Sequence, residues 1–292
     1  MWHATDVSTM VLARHGAGST AALRALASQV HPVFMLPPIA ASWFGAVLGG
    51  LDSVALGVVH ATTIFAAVYT AHVKDGYVDL HVRGEDDDHP LTVEGCRVAL
   101  AASTVLFVAA TVALWFAVDP IAALLTAPTW VIGYHHAPQL DTNPLTATTG
   151  YPAGIALAIL GGCYVQAGAI GPVAAAFALV FLLVLSGVKI VDDLQDYEYD
   201  RSIDKRTVAV TVGPTRARGI AHGLLALGFL TIVALVAVAV FPPTSVLAVV
   251  AFGLVVLTAR RAEPEMATML LVRGSYVFLA VLVAAVWFEP LG

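Results

Sequence analysis

The chain has 292 residues, of which 59% are hydrophobic and only 12% are charged, and its formal net charge is −6. A soluble domain carries about 25% charged residues, so this composition is typical of a membrane protein. The negative net charge argues against nucleic acid as a partner, because binding to nucleic-acid phosphates requires a basic surface.

Long apolar runs, taken in chain order, predict transmembrane α-helices, because about 20 apolar residues are needed to cross roughly 30 Å of hydrocarbon. Pairs such as Gly49-Gly50 and Pro242-Pro243 mark short turns between the runs. The pattern predicts an all-α polytopic bundle, with a cytoplasmic N-terminal segment at residues 1–30 and one transmembrane domain at residues 31–292. The nine expected spans are approximately 32–49, 54–73, 96–118, 121–133, 150–166, 172–191, 219–240, 244–259 and 269–288.

The basic residues set the expected orientation. All 14 Lys and Arg residues fall on one side of the predicted topology. Short loops rich in Lys and Arg stay on the cytoplasmic side of a membrane. We therefore expect an integral protein of the cell (plasma) membrane, with its N-terminus and its charged loops in the cytoplasm.

Two acidic segments follow predicted spans on this side. The first is Lys74–Asp79 after the second span, and the second is Lys189–Asp200 after the sixth. If the helices continue past the membrane, residues four apart share one face, so Asp75 and Asp79 align. The same spacing aligns three carboxylates in the second segment, namely Asp192, Asp196 and Asp200.

Stacked carboxylates repel each other, so a bound cation is the expected reason for this pattern. Mg²⁺ binds one or two carboxylates together with waters and substrate phosphates. The spacing therefore predicts that the two segments clamp a diphosphate through Mg²⁺, with two or more ions and with Mn²⁺ as a possible substitute. The predicted metal ligands are Asp75, Asp79, Asp192, Asp196 and Asp200. The basic residues predicted to bind diphosphate oxygens are Lys74, Arg83, Lys189, Arg201 and Lys205.

The two segments also resemble each other. Each begins with Lys, continues through aspartates four apart, and is followed by a Thr-containing stretch that ends in Gly, at His89–Gly95 and Lys205–Gly213. Two similar halves that meet at one site are a common plan in membrane proteins.

These residues resemble the UbiA superfamily of intramembrane prenyltransferases, whose signature is Asn-Asp-x-x-Asp-x-x-x-Asp after the second helix and a related element after the sixth. The stretch Asp192–Asp200 matches this spacing, with Asp in place of the leading Asn. In the first element Asp75 and Asp79 match, whereas Gly76 stands where Asp is usual and Arg83 where the last Asp is expected.

Other stretches extend the resemblance. Asp86–Asp88 follow the first element closely, and His89-Pro90-Leu91 resembles the Arg-Pro-Leu that opens the next helix in the family. Tyr134 matches a family Tyr after the fourth helix. Many members place a Lys near that Tyr, and its absence from the adjacent sequence favours a lipid or isoprenoid-derived acceptor over an acidic aromatic one.

The resemblance implies an all-helical bundle around a central cavity and a Mg²⁺-assisted prenyltransferase. Its expected partners are a prenyl diphosphate donor, a lipophilic acceptor and membrane lipids. The acceptor is left open among a quinone precursor, a glycerophospholipid, a carotenoid, a porphyrin and a chlorin. The residues that the resemblance assigns to catalysis are Asp75, Asp79, Asp192, Asp196 and Tyr134.

Other functions are compatible with membrane-edge carboxylates. A cation- or proton-coupled transporter also uses such groups, although its ion sites usually lie nearer the middle of the membrane. A CDP-alcohol phosphotransferase needs Asp-Gly to continue into Ala-Arg, which Lys74–Asp79 does not do. A purely structural membrane protein gives no reason for a repulsive carboxylate stack.

Overall fold

The computed structural model describes residues 11–85 and 88–288. This part of the chain is built from helices, with one isolated β-bridge between Ala13 and Leu91. The α-helices are α1 Gly18–Ala27, α2 Pro32–Leu48, α3 Val54–Val78, α4 Val93–Ala117, α5 Pro120–His135, α6 Pro144–Ala167, α7 Pro172–Gln195, α8 Tyr197–Ser202, α9 Val208–Val212, α10 Pro214–Ala237, α11 Val246–Ala259 and α12 Pro264–Phe288.

The predicted spans coincide with α2 to α7 and α10 to α12. Some helices begin earlier than predicted. Helix α6 starts at Pro144, where the Asn143 side chain accepts a hydrogen bond from the Leu145 N–H, and α10 starts at Pro214. Proline suits the first helical position because it lacks an N–H and has a helical φ. The apolar pattern therefore locates these helices but not their capped ends.

Not every helix is long and apolar enough to cross a membrane by itself. Among the described residues, five candidate spans meet that requirement, and they belong to α3, α4, α7, α10 and α12. Helices α1 and α2 form an apolar pair that is bent by 65° and counts as a sixth if it is one span. The number of nine crossings therefore stays a prediction.

Helices α2 and α6 cross in backbone contact because glycines line the crossing. A Cβ atom on Gly45 would lie 2.1 Å from the Ile159 carbonyl oxygen, and one on Gly162 would lie 2.2 Å from the Ser42 carbonyl oxygen. Small residues allow this approach, which gives membrane helices their van der Waals packing. Next to the crossing, a hydrogen bond of 2.7 Å between Ser42 Oγ and His60 Nδ1 attaches α3 to α2.

Helix α7 lies at the centre of the bundle. Phe177, Val180 and Val184 are fully buried in the main core, and α7 contacts α2, α6, α10 and α12. Burial of its apolar length fixes where its C-terminal carboxylates emerge. We call the end of the bundle that carries the C-termini of α3 and α7 the acidic end.

The chain before α2 packs against this acidic end. The Thr92 N–H donates to the Leu12 carbonyl oxygen over 3.1 Å, and the Tyr69 hydroxyl donates to the Leu26 carbonyl oxygen over 2.9 Å. These bonds attach α1 and the strand-like residues before it to α3 and to the start of α4. The loop between α3 and α4 is therefore supported from outside by the N-terminal part of the chain.

The glycine crossing predicts opposite effects for two Gly→Ala substitutions on α6. Gly162→Ala inserts a methyl group against the Ser42 carbonyl oxygen and is expected to destabilise the protein by at least about 1–3 kcal/mol. Gly154→Ala is the control, because nothing lies within 4 Å of its added Cβ. It is expected to stabilise α6 by about 0.5–1 kcal/mol. Unfolding of each variant in detergent with increasing SDS measures both effects, and equal stability of the two variants contradicts the crossing.

Candidate active site

The first acidic element ends in a change of helix type. Helix α3 stops at Val78, and a π-helical turn at Asp79–Arg83 follows, which Gly84 ends in a left-handed conformation with φ +72°. Asp79 lies within electrostatic range of Asp75. The π-turn brings Arg83 back over the helix end, so that its Nη1 donates to Asp79 Oδ1 over 2.9 Å. Such turns are often found at functional sites.

Gly76 lies against the side chain of His89. A Cβ atom at Gly76 would lie 2.3 Å from His89 Cε1. The His89 ring is buried, and its Nε2 lies 3.5 Å from Cys96 Sγ at the start of α4. An Asp at position 76 would therefore require this ring to move.

The second acidic element does not form the continuous stack that the spacing predicted. Helix α7 ends at Gln195, and α8 begins after Asp196, whose φ of −94° and ψ of 13° break the helix. Asp192 is thus separated from Asp196 by a break, and the prediction that Asp192, Asp196 and Asp200 share one helix face is wrong. Asp196 is exposed, whereas Asp200 is buried.

Burial changes the electrostatics of Asp200. It raises the pKa of this carboxyl group, whereas Lys205, whose Nζ lies 3.5 Å from Asp200 Oδ1, acts in the opposite direction. Asp196 lies in electrostatic range and adds to the increase. A cation near these two carboxylates would relieve their repulsion.

A carboxylate of the second acidic element that was not among the predicted metal ligands lies in the buried part of α7. Asp193 is buried, and its Oδ1 accepts a hydrogen bond of 2.5 Å from Lys189 Nζ. The same ammonium group donates to Asp192 Oδ2 over 3.2 Å. Asp193 Oδ2 has no hydrogen-bond partner within the described chain. The available signal was the spacing of four residues between Lys189 and Asp193, which pairs them on one helix face.

The two acidic elements meet at the acidic end. The Tyr199 hydroxyl on α8 donates a hydrogen bond to Glu85 Oε2, immediately after the π-turn. Lys205 lies in electrostatic range of Asp79. The predicted facing of the two elements is thus present in the structure, and the contact is made by Glu85 and Tyr199, which the spacing did not identify.

Asp141, between α5 and α6, joins the same two elements. Its Oδ2 lies 3.3 Å from Arg83 Nη2, and its carbonyl oxygen accepts a 2.8 Å hydrogen bond from the Arg206 N–H. Asp141 is buried, with 8% of its surface exposed. Asp141 therefore contacts Arg83 of the first element through its side chain and the loop after the second element through its carbonyl oxygen.

Tyr134 lies beside the first acidic element. Lys74 Nζ is 5.2 Å from the centre of the Tyr134 ring, and Trp130 stacks on that ring at 4.9 Å. The contact depends on a close approach of α5 and α3, since a Cβ on Gly133 would lie 2.4 Å from the Ala67 carbonyl oxygen. Helix α3 thus places a Lys beside Tyr134, although the sequence adjacent to Tyr134 has none.

The remaining predicted residues have different surroundings. Lys205 Nζ lies 5.9 Å from the centre of the Tyr199 ring, and Arg201 is exposed on α8. Asp86 and Asp87 lie outside the described residues, and Asp88 is exposed. The basic side chains thus lie around the carboxylates, with Arg201 at the outer edge.

The donor set suits a hard divalent cation that a substrate helps to bind. Among the described residues, no group of three or more His, Cys, Asp or Glu side chains is arranged to hold a metal ion alone. Mg²⁺ does not require such a cage, because it is usually held by one or two carboxylates, waters and substrate phosphates. The aspartates at the acidic end fit that mode of binding.

The ion pair between Arg83 and Asp141 predicts a stability difference. Both side chains are about nine-tenths buried, at 12% and 11% exposed, so Asp141→Asn is expected to destabilise the protein by about 1–3 kcal/mol. The control is Glu94→Gln, which removes an exposed pair with Arg97 at 3.6 Å and is expected to cost at most about 0.5 kcal/mol. SDS-induced unfolding measures both, and equal losses contradict a joining role for Asp141.

Comparison with known protein sequences identifies relatives. The model of the family described as the UbiA prenyltransferase family matches residues 35–265. The chain is also similar to a 1,4-dihydroxy-2-naphthoate octaprenyltransferase from Mycobacterium tuberculosis, with 31% identity over 214 residues, which are 68% of this chain and 70% of that protein.

Solved structures have the same fold. A UbiA homologue from Aeropyrum pernix, in its apo form, superimposes with a TM-score of 0.68 and 15% identity, over 87% of this chain and 97% of that chain. A homologue from Archaeoglobus fulgidus bound to GPP and Mg²⁺ gives a TM-score of 0.57 and 18% identity, over 91% of this chain and 99% of that chain. With its long apolar helices and a family match over most of its length, the chain is an integral membrane protein that belongs to the UbiA prenyltransferase family.

Proposed function

We propose that the protein transfers a prenyl group from an allylic prenyl diphosphate to a lipophilic acceptor within the membrane, in a Mg²⁺-dependent reaction. The main support is the meeting of the two acidic elements through Glu85, Tyr199 and Asp141. Carboxylates on both sides of one site are suited to a metal-bridged diphosphate. The Archaeoglobus fulgidus homologue bound to GPP and Mg²⁺ supports this choice of donor and metal.

The proposed metal ligands come from both sides of the site. Asp75 and Asp79 act from α3 and the π-turn, and Asp192, Asp196 and Asp200 act from α7 and α8. When bound, Mg²⁺ neutralises the negative charge that develops on the departing diphosphate. Two or more ions are proposed, with Mn²⁺ able to replace Mg²⁺.

The basic residues are proposed to bind diphosphate oxygens directly. Each of four cations is already held at the site by a carboxylate or an aromatic ring, so little side-chain entropy remains to be lost on binding. The residues are Lys74, Arg83, Lys189 and Lys205. The exposed Arg201 would act at the outer edge of the diphosphate.

Tyr134 is proposed to act on the organic part of the donor. As the bond between the allylic carbon and the diphosphate oxygen breaks, positive charge develops on the allylic group, and the π face of a Tyr ring stabilises such charge. The diphosphate leaves with the electron pair of the broken bond, and the acceptor forms the new bond to that carbon and loses a proton. Apolar walls exclude water, which would otherwise capture the allylic cation.

The orientation and the acceptor belong to the same proposal. We place the protein in the plasma membrane with its acidic end on the cytoplasmic side, because the loops that carry Lys and Arg lie at that end. The Mycobacterium tuberculosis relative carries the name of a 1,4-dihydroxy-2-naphthoate octaprenyltransferase. This similarity supports an aromatic acceptor, and the contact of Lys74 with Tyr134 is compatible with an acidic one.

Replacing Asp192 or Asp196 with Asn is expected to reduce prenyl transfer at least about 100-fold, because the proposed metal site then loses a carboxylate ligand. Purified protein is incubated with Mg²⁺, geranylgeranyl diphosphate and extracted membrane lipids, and the product is identified by mass spectrometry. Asp52→Asn, in the exposed turn between α2 and α3, is the control and is expected to retain activity. Activity of a double Asp192→Asn and Asp196→Asn variant at the level of the control contradicts the assignment.

Chelation provides an independent check of the metal. Excess EDTA is expected to stop product formation, and added Mg²⁺ or Mn²⁺ to restore it, because the uncompensated diphosphate is a poor leaving group. The initial rate is measured across a titration of free Mg²⁺. Full turnover in excess chelator contradicts a metal-dependent mechanism.

A further inference from the structure

A group of histidines lies on the membrane side of the acidic end. His72 precedes Asp75 by three residues and Asp79 by seven on α3, so these side chains share one helix face. At 1.5 Å per residue, His72 lies about 10 Å below Asp79 along the helix axis. This is the direction in which the organic part of a metal-bound diphosphate would point.

Three histidines from separate elements meet there. The ring of His31, at the N-cap of α2, stacks on the ring of His72 with centroids 4.9 Å apart and planes at 20°. His136, at the C-cap of α5, lies in electrostatic range of His72. Phe34 contributes a further ring, 6.1 Å from His72. The cluster therefore joins α2, α3 and α5 just below the proposed metal site.

The wall formed by α2 is held in place by two tyrosines from other helices. The Tyr151 hydroxyl on α6 donates to the Phe34 carbonyl oxygen over 3.2 Å, and the Tyr276 hydroxyl on α12 donates to the Val33 carbonyl oxygen over 3.3 Å. Phe34 nonetheless has 55% of its surface exposed, and His31 is exposed as well. The main chain at the start of α2 is thus fixed by hydrogen bonds, while the side chains of His31 and Phe34 are not packed into the core.

The chemistry of the cluster suits an aromatic ligand that carries oxygens. Imidazole nitrogens form hydrogen bonds with hydroxyl or carboxylate oxygens. The flat faces of His72 and Phe34 favour an aromatic ring over a flexible lipid headgroup.

We infer that His31, His72 and His136 form the subsite for the head group of the acceptor, an aromatic ring with hydroxyl or carboxylate oxygens. The inference rests on the proposed prenyl transfer and adds the location of its second substrate. Hydrogen bonds from the imidazoles hold the ring below the diphosphate, with the nucleophilic carbon directed at the allylic carbon of the donor. These histidines bind and orient the acceptor and leave the metal and the diphosphate to the carboxylates.

Acceptor kinetics of His72→Gln test this subsite. The full-length protein in detergent is given Mg²⁺, geranyl diphosphate and 1,4-dihydroxy-2-naphthoate as the probe. The KM for the probe is expected to rise about fivefold to tenfold, as for a lost hydrogen bond, with the KM for the donor unchanged. The thermal stabilisation by Mg²⁺ and geranyl diphosphate is also expected to remain, because bound ligands stabilise the folded state. This stabilisation shows that the variant is folded and binds its donor.

Two further variants and one substitution of substrate complete the test. His31→Gln is expected to change the KM for the probe in the same direction, and His222→Gln, on α10 beside Arg218 and Arg260, to leave it unchanged. The inference is overturned if His72→Gln and His31→Gln keep the wild-type KM for the probe, or if they lose donor binding equally. It is also overturned if the wild-type protein prenylates extracted membrane lipids but not the probe. That result would reject the acceptor subsite and still support prenyl transfer. Absence of any product and of stabilisation by Mg²⁺ and geranyl diphosphate in the wild type rejects the proposed function as well.

Discussion

The acidic end depends on how the repulsion between its carboxylates is balanced. The protein itself neutralises the inner groups, because Lys189 pairs with Asp193, Lys205 with Asp200, and Arg83 with Asp79. Within the described chain, no basic side chain forms an ion pair with Asp75 or Asp196. The carboxylates thus divide into those paired with a basic side chain, which include the proposed metal ligands Asp79, Asp192 and Asp200, and the unpaired Asp75 and Asp196. This division lets the site fold before metal and diphosphate bind, since its buried charges already have partners.

The two halves of the site have a common plan with different details. After each acidic element the chain returns to the bundle through a Thr N-cap, where Thr92 accepts a hydrogen bond from the Gly95 N–H and Thr207 from the Val210 N–H. The acidic ends differ, because α3 continues into a π-turn and α7 breaks at Asp196. The similarity of the two acidic segments therefore extends to the Thr-capped loops that follow them. The differences lie at the helix ends themselves, where α3 continues into the π-turn and α7 breaks.

The sequence predicted the helices well because apolar length and Gly or Pro punctuation are local properties. It also predicted that Asp75 and Asp79 lie close together, since that relation spans one helical turn. It failed where the helix itself changed, at Asp196, because spacing alone contains no signal for a break. It also failed to pair Lys74 with Tyr134, because that contact is set by the close crossing of α3 and α5. A single Gly in a helix sequence does not show which other helix will pack against it.

Two departures from the family pattern at the first element lie in contact with each other. Gly76 replaces the usual Asp, and His89 replaces the usual Arg, and in the structure the ring of His89 occupies the space beside Gly76. A lost carboxylate and a lost guanidinium cancel in charge, so these two replacements by themselves leave the net charge unchanged. Arg83, which stands where a later Asp is expected, then pairs with Asp79 and Asp141. The first element thus has two of the five carboxylates proposed as metal ligands, Asp75 and Asp79, and uses Arg83 to fasten the end of α3 to the loop that carries Asp141. The other three proposed ligands come from α7 and α8.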